Sequence, residues 1–182
     1  MSGGTLELNF SFPGAEDATI ASIIQLSNSV FNWEPESRYA SLEEWKKSLS
    51  DPASTIIYLV PQPDDGTSSI PPPVAFIFAH PRTHLEPLRD GSSQSLHIWL
   101  AGVLEEYRGR GCLDTMVNAL VDLEEGRRRL RSESSSMQTM TICTNPDRFP
   151  SMWAWLRGRT RWVFEKEFDG GKVMFSLTGH VQ

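Results

Sequence analysis

Residues 96–103 (LHIWLAGV) form an apolar run that reads as a strand, and Arg108-Gly109-Arg110-Gly111 follows a few residues later. A helical pattern then begins, with Met116, Leu120 and Leu123 on one face, extended by Leu130. A strand, a glycine-rich turn and a long helix in that order restrict the fold strongly. Such a turn aims successive backbone N–H groups at one point, and the helix dipole adds partial positive charge there. Glycines let the backbone approach an anion closely. Glycines beside arginines also mark ordinary tight surface turns, so the pattern alone fits either a pyrophosphate seat or a plain turn. It lacks the Gly-Lys-Ser/Thr ending of a P-loop and the full G-x-G-x-x-G of a dinucleotide fingerprint.

The rest of the chain alternates strand and helix patterns. Leu6, Leu8, Phe10 and Phe12 alternate with polar residues, which predicts a half-buried strand ended by Pro13-Gly14. Ile20, Ile23, Ile24, Ser27 and Phe31 predict one face of a helix. Ser41 and Glu44 form a capping-box pattern ahead of Leu42, Trp45 and Leu49. Strands are predicted over residues 55–60, 74–80 and 137–143, with polar, flexible loops over 61–73 and 81–94. A short helix over 149–156 accepts Pro150 in its first turn. Residues 162–168 and 173–177 flank Asp169-Gly170-Gly171-Lys172, a hairpin signal. The predicted order is β-α-α-β-β-β-α-β-α-β-β, an α+β chain with a mixed sheet. The 182 residues predict a single domain over 1–182.

Composition excludes several classes. The net charge of −6 argues against sequence-independent nucleic-acid binding, which needs surplus Lys and Arg. It mildly favours a cationic acceptor. His80, His84, His97 and His180 are too scattered to form a zinc site. Cys112 and Cys143 stand alone and read as free thiols of a reducing compartment. No run is long enough for a membrane span, and Met1-Ser2-Gly3-Gly4 has no secretory pattern, so a soluble cytoplasmic protein is expected.

Within this frame, V-x-x-E-Y-R-G-R-G after a strand resembles the signature of the GNAT acyltransferase superfamily, roughly V-x-P-x-x-R-G-x-G-x-G/A. The order of elements matches as well, so the resemblance spans nearly the whole chain. It implies a three-layer α/β arrangement with a mixed, mostly antiparallel twisted sheet, splayed at its centre and flanked by helices. It implies acetyl-CoA as co-substrate, with no metal. Its phosphates would lie on Arg108, Gly109, Arg110, Gly111, Cys112 and Leu113. Val103 would hydrogen-bond the pantetheine arm, and Asn145 would sit at the mouth of the splay. Leu113 stands where the family has Gly or Ala, Asp114 adds a negative charge, and Glu105 replaces the usual Pro.

The resemblance implies direct transfer of an acetyl group to a primary amine. Its general base would be His97, on the strand before the turn, as in serotonin N-acetyltransferase. An ordinary imidazole titrates near neutrality; a polar residue on a strand face is the plainer reading. Trp99 shares that face and either walls the amine site or belongs to the core. The usual acid, a Tyr on the helix after Asn145, is absent; Trp153, Trp155 and Arg157 occupy that region. The connection after the first helix offers Trp33, Glu34, Glu36 and Tyr39 for a cationic amine and Arg38 for a carboxylate, or is a solvated loop. Arg127, Arg128, Arg129 and Arg131 read as a solvated helix end. The expected acceptor is a small amine or amino acid. The alternatives are a protein N-terminus or lysine, or a non-catalytic acyl-CoA-binding module. A homodimer is compatible with all three.

Overall fold

The computed structural model describes residues 5–31, 41–62, 71–130, 139–159 and 161–177. Its elements run β1 (Leu6–Ser11), α1 (Asp17–Phe31), α2 (Leu42–Leu49), β2 (Thr55–Pro61), β3 (Ala75–Thr83) and β4 (Gln94–Val103). A 3-10 turn (Glu105–Tyr107) leads into α3 (Cys112–Leu130), followed by β5 (Met140–Thr144), α4 (Pro150–Arg157), β6 (Trp162–Phe168) and β7 (Lys172–Leu177). This is the order read from the sequence. The strands are joined in the order β1-β2-β3-β4-β5-β7-β6. The β1–β2, β2–β3, β5–β7 and β6–β7 pairs are antiparallel; β4–β5 is parallel, with Leu96, His97 and Ile98 opposite Met140, Thr141 and Ile142.

Backbone contacts group the chain into two compact units: Met1–Ala79 with Leu100–Leu120, and His80–Trp99 with Val121–Gln182. In the first, α1 buries Ile20, Ile23 and Leu26, and α2 buries Trp45 and Leu49. The Trp45 ring lies 5.1 Å from that of Phe78 and 6.2 Å from that of Phe76. The predicted capping box is present: Ser41 Oγ accepts from the Glu44 N–H, and the Glu44 carboxylate accepts from the Ser41 N–H at 2.6 Å. Gly102 lies under this core. A Cβ there would come within 2.7 Å of the fully buried Phe76 ring and 3.2 Å of Val30. Gly102→Ala is therefore expected to cost about 1–3 kcal/mol, as overpacking does, read as a lower midpoint in urea unfolding.

In the second unit, Leu96, Ile98, Met140, Ile142, Leu156, Met174 and Leu177 form the apolar core. The β6–β7 turn follows the predicted Gly170-Gly171, both at positive φ. Among the described residues no helix is long and apolar enough to cross a membrane.

Three expectations are corrected. Phe10 and Phe12, predicted on the buried face of β1, are about 40 % exposed and stack on each other, while Ser11 between them is buried. Leu130 is 88 % exposed and adds nothing to the apolar face of α3. Residues 81–83 belong to β3 and not to the loop. Pro81 brings no donor to a ladder, which is why the pattern predicts a stop there.

Residues 84–93, which follow β3, are tied into the second unit. The Arg89 N–H donates to Glu165, Lys166 pairs with Glu86 at 2.8 Å, and the Thr139 hydroxyl donates to Asp90.

Candidate functional site

The turn ahead of α3 is built as the sequence suggests. Gly109 and Gly111 both have positive φ, at 75° and 77°, and among the described residues nothing beyond their own chain neighbours lies within 4 Å of where a Cβ would stand on either. The Thr115 N–H makes the first helical bond, to Gly111 O at 2.9 Å. Among the described residues the N–H groups of Gly109, Arg110, Gly111 and Leu113 donate to no backbone carbonyl. Buried amides in that condition would be costly. Here Gly109, Arg110 and Gly111 are exposed, at a helix N-terminus.

The surrounding side chains hold the turn from behind. The Arg108 Nε donates to Val103 O at 3.3 Å, so that carbonyl already has one partner. The Arg110 guanidinium lies 4.9 Å over the Tyr107 ring. Cys112 is buried, and its thiol donates to Tyr107 O at 3.5 Å. Burial raises the Cys112 pKa, so it acts as a packing residue rather than a nucleophile. Leu113 is half-buried.

The second unit carries a feature not foreseen from the pattern: a buried polar row. Strand alternation puts Ser95 and His97 of β4 and Thr141 of β5 on one face, and all three are buried. Arg82 Nη1 lies 3.1 Å from His97 Nε2. A guanidinium only donates, so Nε2 accepts and the ring's hydrogen is on Nδ1. Nδ1 then donates to Thr141 Oγ1 at 2.9 Å. Thr141 Oγ1 lies 2.8 Å from Ser95 Oγ, where either hydroxyl can donate, and Ser95 Oγ lies 2.8 Å from His84 Nε2. The row therefore links Arg82, His97, Thr141, Ser95 and His84 in one hydrogen-bonded series. Burial, helped by the Arg82 charge, pushes the His97 pKa down to about 2. The same two causes lower that of His84.

As placed, the His97 ring has no lone pair to offer a substrate proton. Arg82 occupies one nitrogen, and the other carries its hydrogen to Thr141. His80 packs edge-on against both His97 and Trp99, with centroids 6.0 Å apart in each case. Its Nδ1–H donates to Pro81 O at 2.9 Å, which makes Nε2 the nitrogen with the lone pair.

Asn145 is committed at both ends. Its Nδ2 donates to Gly170 O at 3.0 Å, and its Oδ1 accepts from the Asp147 and Arg148 N–H groups. It joins the end of β5 to the β6–β7 turn. On α4, Trp153 packs on Phe175 and Trp155 on Trp162, so these rings serve the core in the place where a Tyr acid was sought. Trp33, Glu34, Glu36, Arg38 and Tyr39 lie outside the described residues, as do Arg131 and His180. A shallow, open depression of about 310 Å³, lined by Phe10, Phe12, Glu16, Thr19 and Tyr58 among others, contains none of the site residues. Among the described residues no group of three His, Cys, Asp or Glu is placed to hold a metal.

No family model and no curated protein matches the sequence. Solved structures do match the fold. Arabidopsis thaliana NAA60 in complex with acetyl-CoA aligns with a TM-score of 0.62 at 17% identity, covering 96% of this chain and 99% of its own. The NatC complex bound to Gag peptide and CoA aligns at 0.57 and 16% identity, over 94% and 96%. An aminoglycoside acetyltransferase from an uncultured soil metagenomic sample, in complex with trehalose, aligns at 0.58 and 10% identity, over 85% and 87%. The chain has the GNAT acetyltransferase fold.

Proposed function

We propose that residues 1–182 work as one domain, an acetyl-CoA-dependent N-acetyltransferase of the cytoplasm acting on the primary amine of a small molecule or amino acid. The observation that carries this reading is the turn 108–113 at the start of α3, where among the described residues the N–H groups of Gly109, Arg110, Gly111 and Leu113 donate to no backbone carbonyl. Arg108, Gly109, Arg110, Gly111, Cys112 and Leu113 would cradle the pyrophosphate there. Val103, six residues beyond His97 on β4, would meet the pantetheine arm through its main chain. Asn145 would act by fixing the end of β5. The acetyl-CoA and CoA complexes among the structures of like fold support the choice of co-substrate.

The chemistry needs no enzyme-bound intermediate. The neutral amine adds to the thioester carbonyl, the C–S bond breaks, and the amine's surplus proton leaves to a base. CoA thiolate is a tolerable leaving group, which fits an α4 without a phenol. The base assigned to His97 from the sequence is better placed as Nε2 of His80, with His97 holding Arg82 and the ring cluster in position. Trp99 would wall the amine. His80→Asn is expected to lower kcat tenfold or more, the low end for a lost general base. An unchanged kcat would remove His80 from proton transfer.

Amines incubated with acetyl-CoA, with release of free thiol as the readout, test the whole reading. Turnover on small amines is expected. Turnover only on peptide N-termini would move the acceptor to protein. Tight acetyl-CoA binding without turnover on any amine would make the chain a binding module.

A further inference from the structure

Arg82 is a half-buried cation to which the described residues supply no ion-paired carboxylate. Its Nη1 is spent on a neutral imidazole, and its side chain also reaches the Cys143 thiol. The hydrogen-bonded row leading away from it ends on another neutral ring, His84. Among the described residues no carboxylate lies within ion-pair distance of Arg82. The acid of the same unit nearest in role, Glu165, is occupied by the Ser176 hydroxyl and the Arg89 N–H. The other charge felt by both His97 and Cys143 is again positive, that of the exposed Lys172.

Arginines held this firmly are normally paired, because a charge taken partly out of water is costly alone. A guanidinium has five N–H donors in a rigid fork. One is fixed on His97 and another reaches Cys143, and the donors that remain suit the planar, bidentate geometry of a carboxylate. His80 and Trp99, both half-exposed, border the same cluster, so a group held by Arg82 is held beside the proposed base.

We propose that Arg82 is the receptor for a carboxylate on the acceptor, so that the substrate class is amino acids rather than simple amines or internal peptide N-termini. This deepens the transferase reading and rests on it for the identity of the acceptor. Lys172 adds long-range attraction for the same anion. The pair explains how a chain of net charge −6 takes a zwitterion: the local field at this cluster is opposite in sign to the global one.

The test uses product analogues and so does not require turnover. The full chain, labelled with ¹⁵N-histidine, is titrated with N-acetylglycine, N-acetylleucine and N-acetylglutamate, and with the same three compounds as primary amides. A separate titration uses succinate. At least one acid is expected to shift the His97 ring signals saturably, with its amide at least tenfold weaker. Arg82→Gln is expected to abolish that difference, and Arg82→Lys to restore part of it. Retained His84 and His80 signals in each variant would show that the fold persists.

Equal responses to acids and amides would overturn the proposal. So would a variant that changes the His97 signals while wild type ignores every acid, since Arg82 would then serve only to position the ring. A response to succinate alone would place the carboxylate on the acyl donor and would equally overturn the acceptor assignment. Failure of the transferase reading looks different: the acids bind through Arg82 while acetyl-CoA does not bind at all.

Discussion

Gly111→Asp is expected to weaken acetyl-CoA binding about a hundredfold while leaving the protein folded. Gly111 sits at φ 77° with nothing within 4 Å of a new Cβ, so the side chain meets no steric block. Backbone strain is modest, since Asp is among the residues that best tolerate the left-handed region. The effect on the ligand is electrostatic. Two like charges about 4 Å apart repel by up to about 4 kcal/mol near a protein surface, less after screening. About 2.8 kcal/mol of that corresponds to a factor of a hundred in Kd. Gly91→Asp is the control. Gly91 also has positive φ and open space, but it belongs to the β3–β4 connection. Its variant shares the backbone strain and the added charge, and should bind as wild type does. Titration calorimetry on the three proteins separates the two causes. Equal affinity for Gly111→Asp and wild type would place the phosphates elsewhere.

The second large effect concerns His97 and stability. Removing the ring leaves the Arg82 guanidinium and the Thr141 hydroxyl without the partner each now has. A buried group left unsatisfied costs about 1–3 kcal/mol, so His97→Ala is expected to lose about 2–4 kcal/mol at pH 7. The pH dependence has a definite sign. The His97 pKa falls from 6.5 when unfolded to about 2 when folded. Below pH 6.5 the unfolded chain binds a proton that the folded one refuses, so stability falls as pH falls. At 1.36 kcal/mol per pH unit, wild type should lose about 2 kcal/mol through this group between pH 7 and pH 5. His97→Ala has no such loss, so the gap between the two proteins should narrow by that amount. Urea unfolding at the two pH values measures it. A gap independent of pH would mean that the folded His97 takes up a proton as readily as the unfolded chain does.

Much of the architecture was legible because it is written in local patterns. The Ser41–Glu44 cap, the Gly170-Gly171 turn and the 3.6-residue spacing of Ile20 and Ile23 are each complete within a few residues. So is the strand–turn–helix of residues 96–130. The errors arose where a neighbour decides. Phe10 and Phe12 alternate correctly for a strand, but β1 pairs on one side only, with β2, and alternation does not say which face is covered. Pro81 is a local stop signal that the strand overrides.

The polar row is the clearest case. Ser95-x-His97 and Thr139-x-Thr141 each show the period of two, and that is the signal that was available. Only the parallel register, with His97 opposite Thr141, turns two polar faces into one buried chain. Arg82 joins it from a third strand. Nothing local announces such a meeting, and so a histidine expected to act as a base is found with both nitrogens committed.

The most direct measurement is the binding of acetyl-CoA to the unmodified chain by titration calorimetry, supported by the thermal midpoint. One site with saturable binding is expected, with a midpoint that rises with ligand concentration as mass action requires. Absence of both heat and midpoint shift at millimolar acetyl-CoA would mean that the amides of residues 109–113 hold no pyrophosphate, and the transferase reading would fall with them.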